Sequence, residues 1–497
     1  MTTPASVPPT PRPVRSSPSS ESRSKEDAAA LRQRMDYLAK WGGGEQLSAP
    51  EAIMWHLEKY PASRSSGTSL HFLDGRAEWS RVQDFVAWLC AATPRLRQRV
   101  REAELPGQAL VWVEDQHFDL GYHLRHVSLP APAGQGELQQ FLQSFSQTPF
   151  DPARPPWEAV LIDDCEQRGS VFALKIQHCL TDGGGLIQLF GAALSPSADE
   201  WPKPGKASRP STRGRFSRMT QLPGHLGKWG RAASRALAVQ RSGASGLSDY
   251  LHSLQKLGGA QMTAGSPLLK KRSRATRYEL LELPMPQFKR LAKAAGASVN
   301  DLYLAIIIGG MQRYHQAYGV VADTLPLAFP VSVRKPGDPE GGNRFTAVNY
   351  SAPLQLTDPA ARIAAIQQFV QGARREPALD FINQVMPALL TLPKSLLAAL
   401  LPRYTARLDL QASNIPGLVG DYYLAGRRVR SHYVLPPRPG CAVMLAMISH
   451  NDVAGIALNC DPAAILDPDL LVTSIREEFE GLCQCFLPPS DIEQENL

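Results

Sequence analysis

What this 497-residue chain lacks narrows its class before any motif is read. It has no uninterrupted apolar run of about 18 residues, so a membrane-spanning helix is not expected. It has no Cys-x-x-Cys pair and no His-Glu-x-x-His, so neither a zinc site nor a disulfide framework is signalled. Its seven cysteines are scattered, and the one close pair, Cys483-x-Cys485, falls in a helix-like tail where the two side chains diverge; a reducing cytoplasm is expected. Gly183–Gly185 is not followed by Gly-Lys-Ser/Thr, which argues against a phosphate loop. Acids are scarce in one stretch: from Trp201 to Arg277 sixteen Lys or Arg stand against a single acid, Asp249. The net charge of +7 therefore belongs to a connector, and the rest of the chain is net acidic, which argues against a nucleic-acid partner. The first thirty residues, rich in Pro, Ser, Thr and Arg, have no apolar stretch and read as a disordered tail, not a secretory signal.

What is present is a globular composition, 43% hydrophobic and 20% charged, in a chain long enough for two cores of roughly 150–250 residues. The expected organisation is a tail over 1–34, an α/β domain over 35–193, a partly helical basic linker over 194–274, a second α/β domain over 275–488 and a short tail. Periodicity predicts helices over 47–60, 80–103, 137–146, 286–295, 298–318 and 467–486. Strands are predicted over 109–113, 122–127, 158–162, 171–176, 277–283, 325–333, 344–356, 422–434, 441–449 and 453–460. Ser298 with Asp301 three residues on forms a capping-box pattern. Two layered units of this kind place an active-site channel between them.

The chemistry is concentrated in Gln177-His178-Cys179-Leu180-Thr181-Asp182-Gly183. A strand, Val171 to Ile176, delivers His178, an Asp follows four residues later, and Gly183–Gly185 opens a helix. A histidine at a strand end is rigidly held and titrates near neutrality, as a general base must. Cys179 would face the other side of a continued strand, which disfavours it as a nucleophile. Asp182 orients the loop, and Gly183 permits the turn and close substrate approach. Trp157, in Pro155-Pro156-Trp157, is a packing residue or a substrate contact. Asn300 lies in a first helical turn, where its amide either helps bind an oxyanion or simply starts the helix. Asn343 and Ser413-Asn414 are read as loop residues lining a cleft.

His178-x-x-x-Asp182-Gly183 does not stand alone. Phe118-Asp-Leu-Gly-Tyr-His-Leu-Arg-His-Val127 and Phe150-Asp-Pro-Ala-Arg-Pro-Pro-Trp-Glu158 precede it. Asn300-Asp301, Gly342-Asn343-Arg344 and Ser413-Asn414-Ile415-Pro416-Gly417 follow in order. Together, from about Leu47 to Leu482, these resemble the bacterial wax ester synthase/diacylglycerol acyltransferase family. The resemblance implies an α/β (α+β) fold of two chloramphenicol-acetyltransferase-like domains. It implies transfer of a long-chain acyl group from acyl-CoA to a fatty alcohol or diacylglycerol, with no metal or redox cofactor. His178, Asp182, Gly183 and Asn300 would carry the reaction, and Gln177, Trp157, Asp301, Asn343, Ser413 and Asn414 would meet substrate. Two departures stand out: Gln177 where the family has the first of two histidines, and Pro156 where it has leucine.

Two other functions remain open on the sequence. One is an acyltransferase of the same fold acting on a specialised-metabolite hydroxyl or amine. The other is a catalytically weak lipid-binding protein, suggested by Gln177. The apolar, proline-broken segment from Phe381 to Leu401 either walls an acyl tunnel, lies on a membrane or lipid-droplet surface, or forms a core helix pair; with the basic linker it allows a cytoplasmic protein peripheral to a membrane.

Overall fold

The computed structural model describes residues 20–102, 109–165, 169–198, 265–332, 345–375 and 405–489, with 394, 398 and 403 as isolated positions. Most of the basic linker, the segment 381–401 apart from 394 and 398, and Asn343 lie outside these residues.

The N-terminal half contains α1 (Ser20–Lys40), α2 (Ala49–Leu57), β1 (Ser66–Leu73), α3 (Trp79–Ala92), β2 (Gln98–Arg101), β3 (Val111–Glu114), α4 (Leu120–His123), β4 (Leu124–Ser128), α5 (Gln135–Gln147), β5 (Trp157–Cys165), β6 (Gly169–Gln177) and α6 (Gly183–Ala193). The C-terminal half contains β7 (Arg277–Pro284), α7 (Met285–Ala294), α8 (Val299–Ala317), β8 (Thr324–Ser332), β9 (Phe345–Pro353), α9 (Pro359–Arg374), β10 (Leu410–Ile415), β11 (Tyr423–Leu424), β12 (Arg427–Leu435), β13 (Val443–His450), β14 (Val453–Cys460) and α10 (Pro468–Phe486).

Each half is built on a six-stranded sheet, ordered β11-β12-β1-β6-β5-β4 and β7-β14-β13-β10-β8-β9. The first sheet is not made by the N-terminal half alone. β12 pairs antiparallel with β1, His71 opposite His432, so two strands of the later half complete the earlier sheet. β6 is central in that sheet, and every residue from Ser170 to Gln177 is buried, which explains its nearly continuous apolar sequence. Its position and burial make its C-terminal end a rigid platform.

Local chemistry explains the departures from the sequence expectations. The helix predicted over 80–103 stops at Ala92. Pro94 lacks the N–H a helix interior requires, and the chain turns through Pro94–Arg97 into β2. The single strand predicted over 422–434 is a hairpin instead, because Ala425 and Gly426 both adopt positive φ, 51° and 80°, the geometry of a two-residue turn. β1 escaped the periodicity because it is buried on both faces and its buried positions include Thr68, Ser69 and His71. Ser413 and Asn414 lie not in a loop but on β10, parallel to β13 with Ser413 opposite Ala446.

Residues 265–274, placed in the linker by composition, pack on the C-terminal half. Ser266 N donates to Asp409 Oδ2 at 2.6 Å, and Ser273 N donates to Asp461 Oδ2 at 2.7 Å. No single described helix is long and apolar enough to cross a membrane. α8, which with α7 forms a bent pair of sufficient combined length and apolarity, has its Leu302–Met311 stretch buried in the C-terminal core.

Candidate active site

β6 ends at Gln177, and Gln177–Leu180 form a turn. Leu180 N donates to Gln177 O at 2.9 Å, which puts His178 and Cys179 at the turn's two central positions. Asp182 then caps α6: its carboxylate accepts from Gly185 N at 2.8 Å, and Leu186 N donates to Asp182 O at 2.9 Å. His178 is thus fixed between a buried strand and a capped helix.

The half-buried His178 sits in a dry setting that holds its imidazole below its ordinary value of 6.5. Burial is the largest influence; the Asp182 carboxylate and a hydrogen bond with the Thr181 backbone oppose it without cancelling it. The ring is therefore neutral at pH 7, the state that accepts a proton. Cys179 is 1% exposed and burial pushes its thiol well above the ordinary range, so it has no thiolate character. The turn, not continuation of a strand, is what sets it apart from His178.

Gln177, which stands where the family has a further histidine, points away from His178. Its amide N–H donates to Met54 O at 3.3 Å and its amide oxygen accepts from Cys179 Sγ at 2.9 Å. Glu58 completes this buried group, accepting from Ser65 N at 3.2 Å and from the Ser66 hydroxyl, with its carboxyl raised by burial. Gln177 thus supports the turn from below and is fully buried.

Trp157, offered by the sequence as packing or contact, is 2% exposed. Its indole N–H donates to Leu96 O at 2.7 Å, and its ring stacks on His123 at 4.6 Å between centroids. It is a packing residue of the sheet. Asp301 closes the capping box of α8, accepting from Ser298 N at 3.2 Å while its own N–H donates to Ser298 Oγ at 3.1 Å. Asn300 is the second residue of that helix and is half-buried. Asn343 lies outside the described residues.

The structure brings one distant motif directly onto the loop. A methyl group at Gly183 would stand 2.7 Å from Ile415 Cδ1, so the end of β10, with Ser413 and Asn414 just before it, reaches α6 where the His178 turn ends. Ile187 of α6, Ile415, Val434 and Ile448 share one buried cluster. Sequence reasoning named Ile415 only within the Ser413–Gly417 motif and gave it no role, because nothing local marks an isoleucine as a partner of a remote glycine. It missed Trp41 and Arg34. Trp41 Nε1 donates to Gly185 O at 2.9 Å, and Arg34 donates to Ala192 O at 2.9 Å and Leu194 O at 2.5 Å, holding α6 at both ends. Among the described residues no group of three or more His, Cys, Asp or Glu side chains is placed to hold a metal.

The chain has relatives in both sequence and fold. The pattern of the wax ester synthase/diacylglycerol acyltransferase catalytic domain matches residues 47–303, and that of the WS/DGAT C-terminal domain matches residues 341–482. The chain belongs to this family. A Mycobacterium tuberculosis protein named as a diacylglycerol O-acyltransferase is 33% identical over 452 residues, 88% of this chain and 91% of its own. Among solved structures, the wax ester synthase/diacylglycerol acyltransferase from Marinobacter aquaeolei VT8 aligns with a TM-score of 0.61 at 20% identity, covering 88% of this chain and 99% of that one. The first condensation domain of the CDA synthetase aligns at 0.57 and 15% identity, covering 90% and 97%. The fold is therefore the paired chloramphenicol-acetyltransferase-like architecture, and the protein is an acyltransferase of the WS/DGAT family.

Proposed function

We propose that this WS/DGAT-family protein transfers a long-chain acyl group from acyl-CoA to the hydroxyl of a fatty alcohol or diacylglycerol, with His178 as general base. The observation that carries the reading is the neutral imidazole fixed in the β6–α6 turn, beside the inserted end of β10. In this reading the acceptor hydroxyl gives its proton to His178 as its oxygen attacks the thioester carbonyl. The tetrahedral intermediate collapses, the C–S bond breaks, and the departing thiolate takes the proton from the imidazolium. A thioester is already activated, and with Cys179 protonated and buried no covalent enzyme intermediate is invoked. Asn300, in the first turn of α8, is the proposed donor to the oxyanion. Gln177 does not argue for a weakened enzyme, because its side chain serves the support beneath the turn and not the substrate side.

The test is to incubate purified protein with palmitoyl-CoA and a panel of long-chain alcohols, diacylglycerols and amines, following thiol release and product mass. Thiol release coupled to wax ester or triacylglycerol is expected, reduced about 10²–10⁴-fold in His178→Ala with the fold retained. Turnover only on amines would move the assignment to specialised metabolism. Acyl-CoA binding without thiol release would make the protein a lipid binder.

A further inference from the structure

α6 begins with a glycine that its backbone does not require. α8 follows its Ser298 cap with Val299, whereas α6 follows its Asp182 cap with Gly183, whose φ lies outside the left-handed region where only glycine is comfortable. At a helical position alanine is otherwise the favoured residue. Space is what works against it: a methyl group at Gly183 would meet Ile415 Cδ1 at 2.7 Å and Cγ1 at 3.3 Å, and Ile415, packed in a buried cluster, would have to shift to admit it.

The same helix has a second such hole. It is the shallower of the two: a methyl group at the exposed Gly191 would meet Leu418 Cδ2 at 2.9 Å, the mobile end of a half-buried side chain. Gly183, Ile187 and Gly191 recur every four residues and so share one face of α6. That face receives Ile415 at one end and Leu418 at the other, with Ile187 packed between them among Ile415, Val434 and Ile448. The segment carrying the two knobs is itself pinned. Gly417 lies so close to β13 that a methyl group there would fall 1.6 Å from Ser449 O, and Gly417 N donates to Ser449 Oγ at 3.2 Å. Just beyond α6, Ser195 and Tyr423 exchange backbone hydrogen bonds of 3.2 and 2.8 Å, fastening the helix exit to β11.

We propose that Ile415 and Leu418 are positioning residues of the acyl-transfer reaction: knobs from the C-terminal half that seat in the Gly183 and Gly191 holes of α6 and thereby fix the His178 turn against that half. This rests on the reading of His178 as the base. The glycine of His178-x-x-x-Asp182-Gly183 is then needed to admit the other half of the protein, not to admit substrate or to bend the chain. A misplacement of about 1 Å at a catalytic group costs about 100-fold in rate, so a lodged methyl group should act chiefly on kcat.

The experiment is a set of knob-and-hole pairs in the full-length enzyme, read by kcat, KM for acyl-CoA and melting temperature. Gly183→Ala is expected to lower kcat by about 10- to 100-fold with KM little changed. Adding Ile415→Ala should restore kcat to within about threefold of Ile415→Ala alone, whereas adding Leu418→Ala should not. Gly191→Ala should show the same kind of partnership with Leu418→Ala, at smaller amplitude, because Gly191 is exposed and the leucine end can turn aside. Should Gly183→Ala fail to fold, recovery of a cooperative melt on adding Ile415→Ala, and not Leu418→Ala, supports the proposal equally. It is overturned if Ile415→Ala leaves Gly183→Ala as impaired as before, or if Leu418→Ala rescues Gly183→Ala as well as Ile415→Ala does. The melting-temperature cycle does not depend on which residue is the base, so an active His178→Ala would remove the base assignment and leave the knob-and-hole result standing.

Discussion

An imidazole set between a buried strand and a capped helix feels opposed influences, and their balance decides what it can do. Burial keeps His178 below 6.5, and Asp182 pulls it back toward that value. Replacing Asp182 with asparagine keeps an acceptor for Gly185 N but removes the charge. The His178 value should then fall further, so the acid limb of the kcat/KM–pH profile should move to lower pH while the melting temperature changes little. Asp182→Ala should shift the limb the same way and also lose about 1 kcal/mol of stability with the cap. A limb that moved to higher pH in Asp182→Asn would contradict this electrostatic account. At this scale the sequence was informative wherever a role is local. His178 and Asp182 could be picked out because their spacing encodes a strand end and a helix cap. Ile415 could not, because its partner is set by tertiary packing alone. Trp157 was ambiguous, and Gln177 was assigned to substrate, for a similar reason: both types serve cores and clefts, and only their hydrogen-bond partners, Leu96 O and Met54 O, separate the two.

At the scale of elements, α6 is the piece on which the site depends, and it is gripped from outside its own sequence. Arg34 satisfies two carbonyls at the C-terminal end of α6, where helical oxygens otherwise lack partners. Removing it in Arg34→Ala should cost about 1.5–3 kcal/mol, read as a lower midpoint in urea unfolding. Arg34→Lys should recover little, since a single ammonium cannot reproduce the fork; full recovery would mean that charge, not geometry, is what α6 needs. Elements with one clear period were legible: α5 shows Leu138, Leu142 and Phe145 on its buried face, and β6 is one apolar run. Elements failed where a single residue changes the backbone, as Pro94 does after α3 and Ala425-Gly426 does between β11 and β12. β1 failed because a central strand with buried Thr68, Ser69 and His71 does not look like one.

For the whole molecule, the exchange of β11 and β12 into the first sheet binds the two halves into one structure, which no local pattern announces. The joint holds a neutral polar cluster. Ser69 Oγ bridges His71 Nε2 at 3.1 Å and His432 Nε2 at 2.7 Å, the two rings stack at 4.2 Å, and Phe190 of α6 meets His71 edge-on at 4.3 Å. His450, bonded to Val429 O, is the third histidine facing them. Burial lowers His71 to about 3 and His432 well below its ordinary value. Depressed values mean the unfolded chain binds these protons first. Stability is therefore complete above about pH 6.5 and declines below it, by up to about 1.4 kcal/mol per pH unit for each site. The urea midpoint should fall between pH 7.5 and pH 5.5, and it should fall less in a His71→Gln/His432→Gln variant; an equal fall in both would place the acid sensitivity elsewhere.

The most direct measurement is the pH dependence of kcat/KM for acyl-CoA with a lipophilic alcohol, in wild type and in His178→Ala of verified fold. Wild type should rise through an apparent pKa below 6.5 to a plateau near neutrality, and the variant should be about 10²–10⁴-fold slower with that limb abolished. A variant that keeps the wild-type rate, or keeps the same limb, would show that the proton leaves the acceptor by another route.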